Sequence, residues 1–326
     1  MTKKVYTRYV PSNEKDYEHS RIFPTCKQGF RCGGNSQPVT NFPGSISKFI
    51  VTENFKHIIK LYNCIPGDNY SILDTSCGWG GRLLGVLGSF TQLRKWYKKR
   101  FNRELHVTYI GTDPNQEVDH RFKDVNKDWF TQVETPEMKK YFHFQKDTTG
   151  SETSEFLMFC KKHLKKYHLD GFCLCLVSPP YFNREMYSED DGQSFRKFKK
   201  YPLWRDGFLR PTIQNVEELL IPGARFYLNI ADVKKGTKLL PLEDDSIKFG
   251  LEVGFTLKNT YKMLLQSPPG KFPSKNTILL DDINKKFEPI FIFEKKYNIE
   301  DVDPLLTSFL VYSIGCTINE INQNKI

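Results

Sequence analysis

Short apolar runs and longer mixed segments follow one another in a regular order along this chain. The runs Ser71–Asp74, Val107–Asp113, Tyr141–Gln145, Gly171–Val177 and Arg225–Ile230 are short and apolar, and such runs bounded by turn residues read as strands. Between them, Gly80–Phe90, Gln116–Phe130 and Thr153–Tyr167 carry apolar residues at helical spacing. Repeated βα units of this kind build a mainly parallel sheet. Ahead of them, Phe49, Ile50, Phe55, Ile58, Ile59 and Leu61 recur at helical spacing, which predicts a helix starting after Ser45 or Ser47, with Pro66-Gly67 ending the unit. Two late strands are expected around Phe255–Met263 and Phe287–Phe293.

Three segments break the rhythm. Lys95–Arg103 is basic and aromatic, with Trp96, Tyr97 and Phe101; Phe182–Trp204 sets RKFKKY among aromatics; Ser267–Lys275 is Pro-rich and basic. Each reads either as a solvated face or as an insertion at one end of an α/β sheet, where substrates usually meet such proteins. The first forty residues, rich in Gly, Pro and polar side chains, read as an irregular extension.

Composition narrows the partners. With 326 residues the chain can bury a sizeable core, and its 48 Lys+Arg against 38 Asp+Glu leave a charge of +10. Such a surplus suits either a polyanion or plain solubility; the clustering of basic residues beside aromatics favours nucleic acid. Eight cysteines occur without a CxxC pair or a zinc spacing, and Met1–Tyr9 is polar and basic, so reduced thiols in an intracellular protein are expected. Phe172–Val177 is the longest apolar run, and Ile278–Leu280 is shorter still. Both fall far short of a bilayer span, and no membrane role is expected.

The strand at Ile72–Asp74 runs into Thr75-Ser76-Cys77-Gly78-Trp79-Gly80-Gly81 and then the helix start Leu83-Leu84. Glycines there permit tight dihedrals and let a ligand approach backbone, while an acid at the strand end can accept from an amine or hydroxyl. A structural turn that uses Gly for geometry alone is the competing reading. The next strand ends at Asp113-Pro114, where α/β folds hold a ribose by its hydroxyls. A third leads to Asp147, placed either to receive an adenine amino group or to cap the following helix. Three acids at successive strand ends suit a nucleoside ligand, without separating a methyl donor from a nicotinamide cofactor.

The strand Gly171–Val177 runs directly into Ser178-Pro179-Pro180-Tyr181. Two adjacent prolines cannot continue a central strand, so the chain leaves the sheet there in a stiff, extended loop. An exocyclic amine on a base is a poor nucleophile because its lone pair is delocalised into the ring. Acceptors such as the Ser178 hydroxyl and the Pro179 carbonyl would bind the amine hydrogens and aim the lone pair, and Tyr181 would stack on a base swung out of its duplex.

Together, Asp74 to Gly81, Asp113, Asp147 and Ser178 to Tyr181 resemble the amino-group DNA methyltransferases, whose catalytic tetrapeptide is Asp, Asn or Ser followed by Pro-Pro and an aromatic. The resemblance runs from about Phe42, in FPGSISKFI, to about Lys295, in FEPIFIFEKK. It implies a Rossmann-like class I S-adenosylmethionine-dependent methyltransferase fold, α/β, with a mainly parallel seven-stranded sheet, helices on both faces and loop insertions. It implies a catalytic domain over 42–296 with insertions near 91–105, 182–212 and 264–285, an extension at 1–41 and a tail at 297–326. The cofactor it implies is S-adenosylmethionine: Asp74, Ser76, Cys77, Gly78 and Gly80 on the methionine part, Asp113 with Pro114 on the ribose, Asp147 on the adenine. Ser178, Pro179, Pro180 and Tyr181 would hold the target. The turn Ser76-Cys77-Gly78-Trp79 departs from the simpler Gly-x-Gly of many members, which leaves individual donor contacts open.

The loop after the tetrapeptide also resembles phage-like and bacterial members. Its Arg184, Tyr187, Arg196, Lys197, Lys199 and Lys200, with Lys271 further on, suit phosphate contact and stacking; a lid without base contact is the alternative. The expected partner is DNA, as a duplex with a flipped base or as a single strand, and RNA stays open. Cytosine C5 methylation is excluded, since that family uses a Pro-Cys pair and no proline here precedes a cysteine. Methylation of a protein glutamine or an RNA guanine goes with a leading Asn where this chain has Ser178. An inactive donor-binding subunit would be expected to have lost the tetrapeptide. A leading Ser resembles the cytosine N4 group more often than the adenine N6 group. No metal is expected.

Overall fold

A computed structural model describes residues 42–115, 135–182, 191–235, 237–264 and 287–297. Its strands are β1 (Asn69–Asp74), β2 (His106–Thr112), β3 (Phe142–Asp147), β4 (Phe172–Val177), β5 (Leu220–Asn229), β6 (Val233–Lys235), β7 (Lys238–Leu240), β8 (Phe255–Leu264) and β9 (Phe287–Lys295). All but β6 and β7, a small hairpin, join one seven-stranded sheet in the order β3-β2-β1-β4-β5-β9-β8. Neighbours run parallel from β3 to β5, and β9 alone is antiparallel to both of its partners.

Central strands without alternation are explained by helices on both faces. Every residue of β1 and of β4 is buried, as a strand covered twice requires. The covering helices are α1 (Gly44–Tyr62), α2 (Gly81–Phe101), α3 (Pro136–Tyr141), α4 (Ser154–Lys166), α5 (Ser194–Lys197), α6 (Tyr201–Trp204), α7 (Arg210–Leu219) and α8 (Leu242–Glu252). On one face, the buried Asn54 of α1 donates to the Cys173 carbonyl and the Tyr70 hydroxyl, both at 2.9 Å. His57 and Tyr62 reach the carbonyls of Gly223 and Pro222 on the same face. On the other, Gly250 of α8 lies against the Phe293 ring, which stacks on Phe226, while α7 packs between α4 and α8.

Two segments differ from the sequence expectation. Lys95–Phe101, placed in an insertion near 91–105, continues α2 without a break. Leu93 and Tyr97 are buried at helical spacing and Phe101 packs against them, while the cations between face solvent. Within the expected insertion 182–212, Tyr201–Trp204 is helical, and a π turn at Arg205–Leu209 carries it into α7. Pro211 has no N–H to give the carbonyl four residues back, and the ladder shifts so that the Arg210 N–H bonds to the Arg205 carbonyl. Trp204, in a stretch read as substrate-facing, is fully buried against Phe182 and Phe208, with its indole N–H on Ser194. The helix expected at Gln116–Phe130 and the Pro-rich segment Ser267–Lys275 lie outside the described residues. Among the described residues no helix is long and apolar enough to cross a membrane.

Close contact between α1 and α2 sets the position of the β1–α2 turn. The Ser47 hydroxyl donates to the Arg82 carbonyl at 2.7 Å. A Cβ on Gly85 would stand 2.4 Å from the Ser47 Cβ and 2.5 Å from the Lys48 nitrogen. Gly85→Ala gains about 1 kcal/mol in helix propensity, yet the clash involves backbone and outweighs it. The expected outcome is a net loss of about 1 kcal/mol or more in urea denaturation; a stabilised variant would show that the helices part freely.

Candidate active site

Strand order reverses between β1 and β4, and α/β sheets bind ligands in the crevice at the carboxyl ends of strands at such a point. Both motif segments emerge there. β1 ends in the Gly-rich turn and its neighbour β4 in Ser178-Pro179-Pro180-Tyr181, adjacent strands lying about 5 Å apart.

A buried ion pair holds the turn. Asp74 is fully buried and the adjacent Arg82 nearly so; the Arg82 Nε donates to the Asp74 Oδ2 at 2.8 Å, and the Tyr109 hydroxyl donates to the same oxygen at 2.6 Å. The Ser76 N–H reaches the other oxygen at 3.2 Å, and an Arg82 terminal nitrogen donates to the Ser76 carbonyl. Burial pulls the Arg82 pKa down, and the Asp74 charge and hydrogen bond more than reverse it. Sequence reasoning missed Arg82. Its signal is a cation in the first turn of a helix, where the macrodipole disfavours positive charge and a partner is therefore required.

Beyond the pair, backbone and side chain tie three strand ends together. The Cys77 N–H donates to the Thr112 carbonyl at 2.9 Å, the Gly78 N–H to the Asp113 Oδ2 at 2.9 Å, and the Asp113 N–H to the Asp147 carbonyl at 3.0 Å. Gly78 and Gly80 have φ of 47° and 79°, a region that glycine enters without strain. Asp113 also accepts from the Asn115 N–H, and Pro114 beside it is half-buried. Burial pushes the Asp113 carboxyl up, against the hydrogen bonds from Asn115 and Gly78.

Cys77 is buried and its thiol is pushed well up by burial, then by Asp113 and Asp74, so it is a packing group and no nucleophile. Cys173 and Cys175 on β4 are buried thiols raised by burial, against the Ser71 hydrogen bonds at Cys173 and with Asp74 adding to it at Cys175. The capping alternative for Asp147 fails, because Thr153 caps α4 by accepting from the Phe156 N–H. Two hydroxyls nearby, Thr75 Oγ1 after β1 and Thr149 Oγ1 after β3, are buried without a hydrogen-bond partner. Orphaned polar atoms at strand ends suit a polar ligand.

At the end of β4, Ser178 and Pro180 are half-exposed and Pro179 is buried. Tyr181, read as a stacking ring, is 3% exposed, with its hydroxyl 3.3 Å from both the Asn229 carbonyl and Glu288. Of the residues assigned to nucleic acid, Lys199 and Lys200 are exposed, whereas Lys197 is paired with Glu152 at 2.9 Å and the Arg196 Nε is buried without a partner. Arg184, Tyr187 and Lys271 lie outside the described residues. Among the described residues no group of His, Cys, Asp and Glu could hold a metal ion.

No protein-family model matches the chain, and no curated protein matches it in sequence. Among solved structures it is similar to a candidate class I S-adenosylmethionine-dependent methyltransferase from Listeria monocytogenes, with 18% identity over 89% of this chain and 69% of that one, and a TM-score of 0.45. A candidate DNA modification methylase from Thermus thermophilus, complexed with S-adenosylmethionine, is 22% identical over 38% of this chain and 48% of its own, with a TM-score of 0.27. An rRNA methylase from Streptococcus thermophilus is 13% identical over 79% and 99%, with a TM-score of 0.38. At these scores the likenesses decide nothing about substrate. Strand order and direction make the fold Rossmann-like, with the topology expected of class I S-adenosylmethionine-dependent methyltransferases.

Arg82→Met strands a buried carboxylate, and removing one partner of such a pair costs about 3 kcal/mol or more. Urea denaturation is expected to show that loss, and a cycle with Asp74→Asn a coupling above about 1 kcal/mol. Additive effects would mean that the two groups do not act together.

Proposed function

We propose that this chain is an S-adenosylmethionine-dependent methyltransferase acting on an exocyclic amino group of a base in DNA, with cytosine N4 favoured over adenine N6. One observation carries the reading: a glycine turn tied to Asp113 and a Ser-Pro-Pro-Tyr segment leave adjacent strands at the reversal point of the sheet.

The residues present fit the donor. A Cβ on Gly78 would meet nothing closer than 3.8 Å, Asp113 offers its carboxyl at the strand end, and among the described residues the Thr75 and Thr149 hydroxyls are buried without hydrogen-bond partners. In this reading Asp113 with Pro114 holds the ribose, Asp147 the adenine amine, and the backbone of Ser76 to Gly80 the methionine part. Asp74 acts on the donor through the turn, since its oxygens already accept from Arg82, Tyr109 and the Ser76 N–H. The bound donor supplies an activated methyl on a sulfonium.

The Ser178 hydroxyl and the Pro179 carbonyl accept hydrogens from the target amine, which draws its nitrogen towards tetrahedral geometry and directs the lone pair at the donor side. The paired prolines keep these acceptors from relaxing away. Tyr181, fixed through its hydroxyl, walls the site against water. Leading Ser, in place of an acid, resembles the cytosine N4 group, and cytosine N4 is favoured on that resemblance.

Two variants separate the halves of the site. Asp113→Ala is expected to weaken donor binding by at least tenfold in calorimetry, through loss of a charge-assisted hydrogen bond of about 1.5–3 kcal/mol. Ser178→Ala is expected to leave donor affinity within about twofold and to lower kcat by about a hundredfold, the scale of one lost acceptor at a reacting centre. Unchanged donor affinity in the first, or full turnover in the second, would sink the corresponding assignment.

A further inference from the structure

Positive charge on this protein gathers at the edge of the sheet opposite the site. Residues 94–104, 136–141 and 161–170 hold 12 of the chain's 48 Lys and Arg but only 3 of its 38 Asp and Glu. The fold brings these segments together: α2 and α4 both end there, on opposite faces, and α3 leads into the start of β3 between them. Its distance from the Gly-rich turn is the length of α2, whose 21 residues span about 30 Å.

Among the described residues, acids answer only part of this charge. Glu104 takes Arg94 and Lys98, Asp68 takes Arg103 and Glu218 takes Lys161. Cations at helix C-termini are ordinary, but two macrodipoles supply roughly one negative charge between them. Lys99, Arg100, Lys140, Lys165 and Lys166 are all exposed at the same edge.

Aromatic rings lie among the cations. Arg94 stands 3.7 Å over the Tyr141 ring, with Lys140 at 5.1 Å, and Lys166 stands 5.0 Å over Tyr167. Between these rings, His106 and His143 stack at 5.4 Å, with ring nitrogens 3.1 Å apart, and His143 stacks on Tyr167. Burial first, then Arg94 at His106, and His106 and Lys166 at His143, hold both imidazoles below their usual value.

Broad, shallow, cationic and ringed with half-exposed aromatics, the edge matches the repeating charge of a nucleic acid backbone better than a single acidic group. We propose that this lower edge, centred on Lys99, Arg100, Lys140, Lys165 and Lys166, is a second docking surface that grips a nucleic acid duplex outside the segment presented to Ser178. The proposal rests on the nucleic acid reading above. A polymer held there raises the effective concentration of its own bases at the distant site, so the surface acts on KM and leaves kcat alone.

The test is one variant with Lys99→Glu, Arg100→Glu, Lys140→Glu, Lys165→Glu and Lys166→Glu, read by fluorescence anisotropy of a labelled duplex of about 30 base pairs over a range of salt. Expected are a loss of affinity of about a hundredfold or more at low salt and a log–log salt slope shallower by about three or four. The donor affinity should be unchanged, and KM for the duplex raised at constant kcat. A glutamine version of the same variant, which cannot add repulsion, should lose part of the affinity with the same fall in slope. Unchanged affinity and slope in both would overturn the docking surface even where DNA is methylated. Because binding is read without turnover, a slope that collapses in the variants supports the surface even where the methyl acceptor is not DNA.

Discussion

The site depends on one buried charge pair. Asp74 and Arg82 cannot be hydrated where they sit, so each is held by the other, by Tyr109 and by the backbone of Ser76. A buried pair is weak as a source of net stability, because desolvation offsets most of the attraction. Its effect is geometric. The last residue of β1 is fixed to the first turn of α2 and to β2 at once, and the loop between them has one path to follow.

From that path the rest of the upper edge follows. The turn places the Cys77 and Gly78 N–H groups over β2, where they meet Thr112 and Asp113, and Asp113 in turn is bound to the end of β3. Past β3 the chain is fastened again: the Ser151 hydroxyl meets Thr212 on α7, and Glu152 takes Lys197 on α5. Thus the loop after β3 and the segment after the Ser-Pro-Pro-Tyr turn share an anchor. A separate cluster of positive charge lies about 30 Å away, at the far ends of α2 and α4.

Much of this was legible in the sequence, for physical reasons that differ by element. The strands β1 and β4 stood out because fully buried strands carry an unbroken apolar run, whereas β3 is largely half-buried and was found through its place in the βα repetition. The extent of α2 was obscured by composition: Lys95, Lys98, Lys99 and Arg100 made the segment look like an insertion, although Leu93 and Tyr97 keep the apolar stripe going. The segment ending at Trp204 was misread for the opposite reason, since aromatics beside RKFKKY suggest a substrate-facing insertion, while Trp204 is in fact the core of a helical turn. Single residues were harder still. Asp74 was visible but its partner Arg82 was not, and the exposed charges Lys197 and Lys199 are alike in sequence yet, among the described residues, only Lys197 has an acid within reach. Pairing across the fold depends on which turns come together, and local pattern does not carry that.

The most direct test of the account is transfer of labelled methyl from S-adenosylmethionine to unmodified duplex DNA, single-stranded DNA and RNA in parallel, with the products resolved as nucleosides by mass spectrometry. The account predicts label in DNA as N4-methylcytosine, lost in the Ser178→Ala protein. Label recovered only in RNA or in protein, or retained in full by that variant, would contradict it.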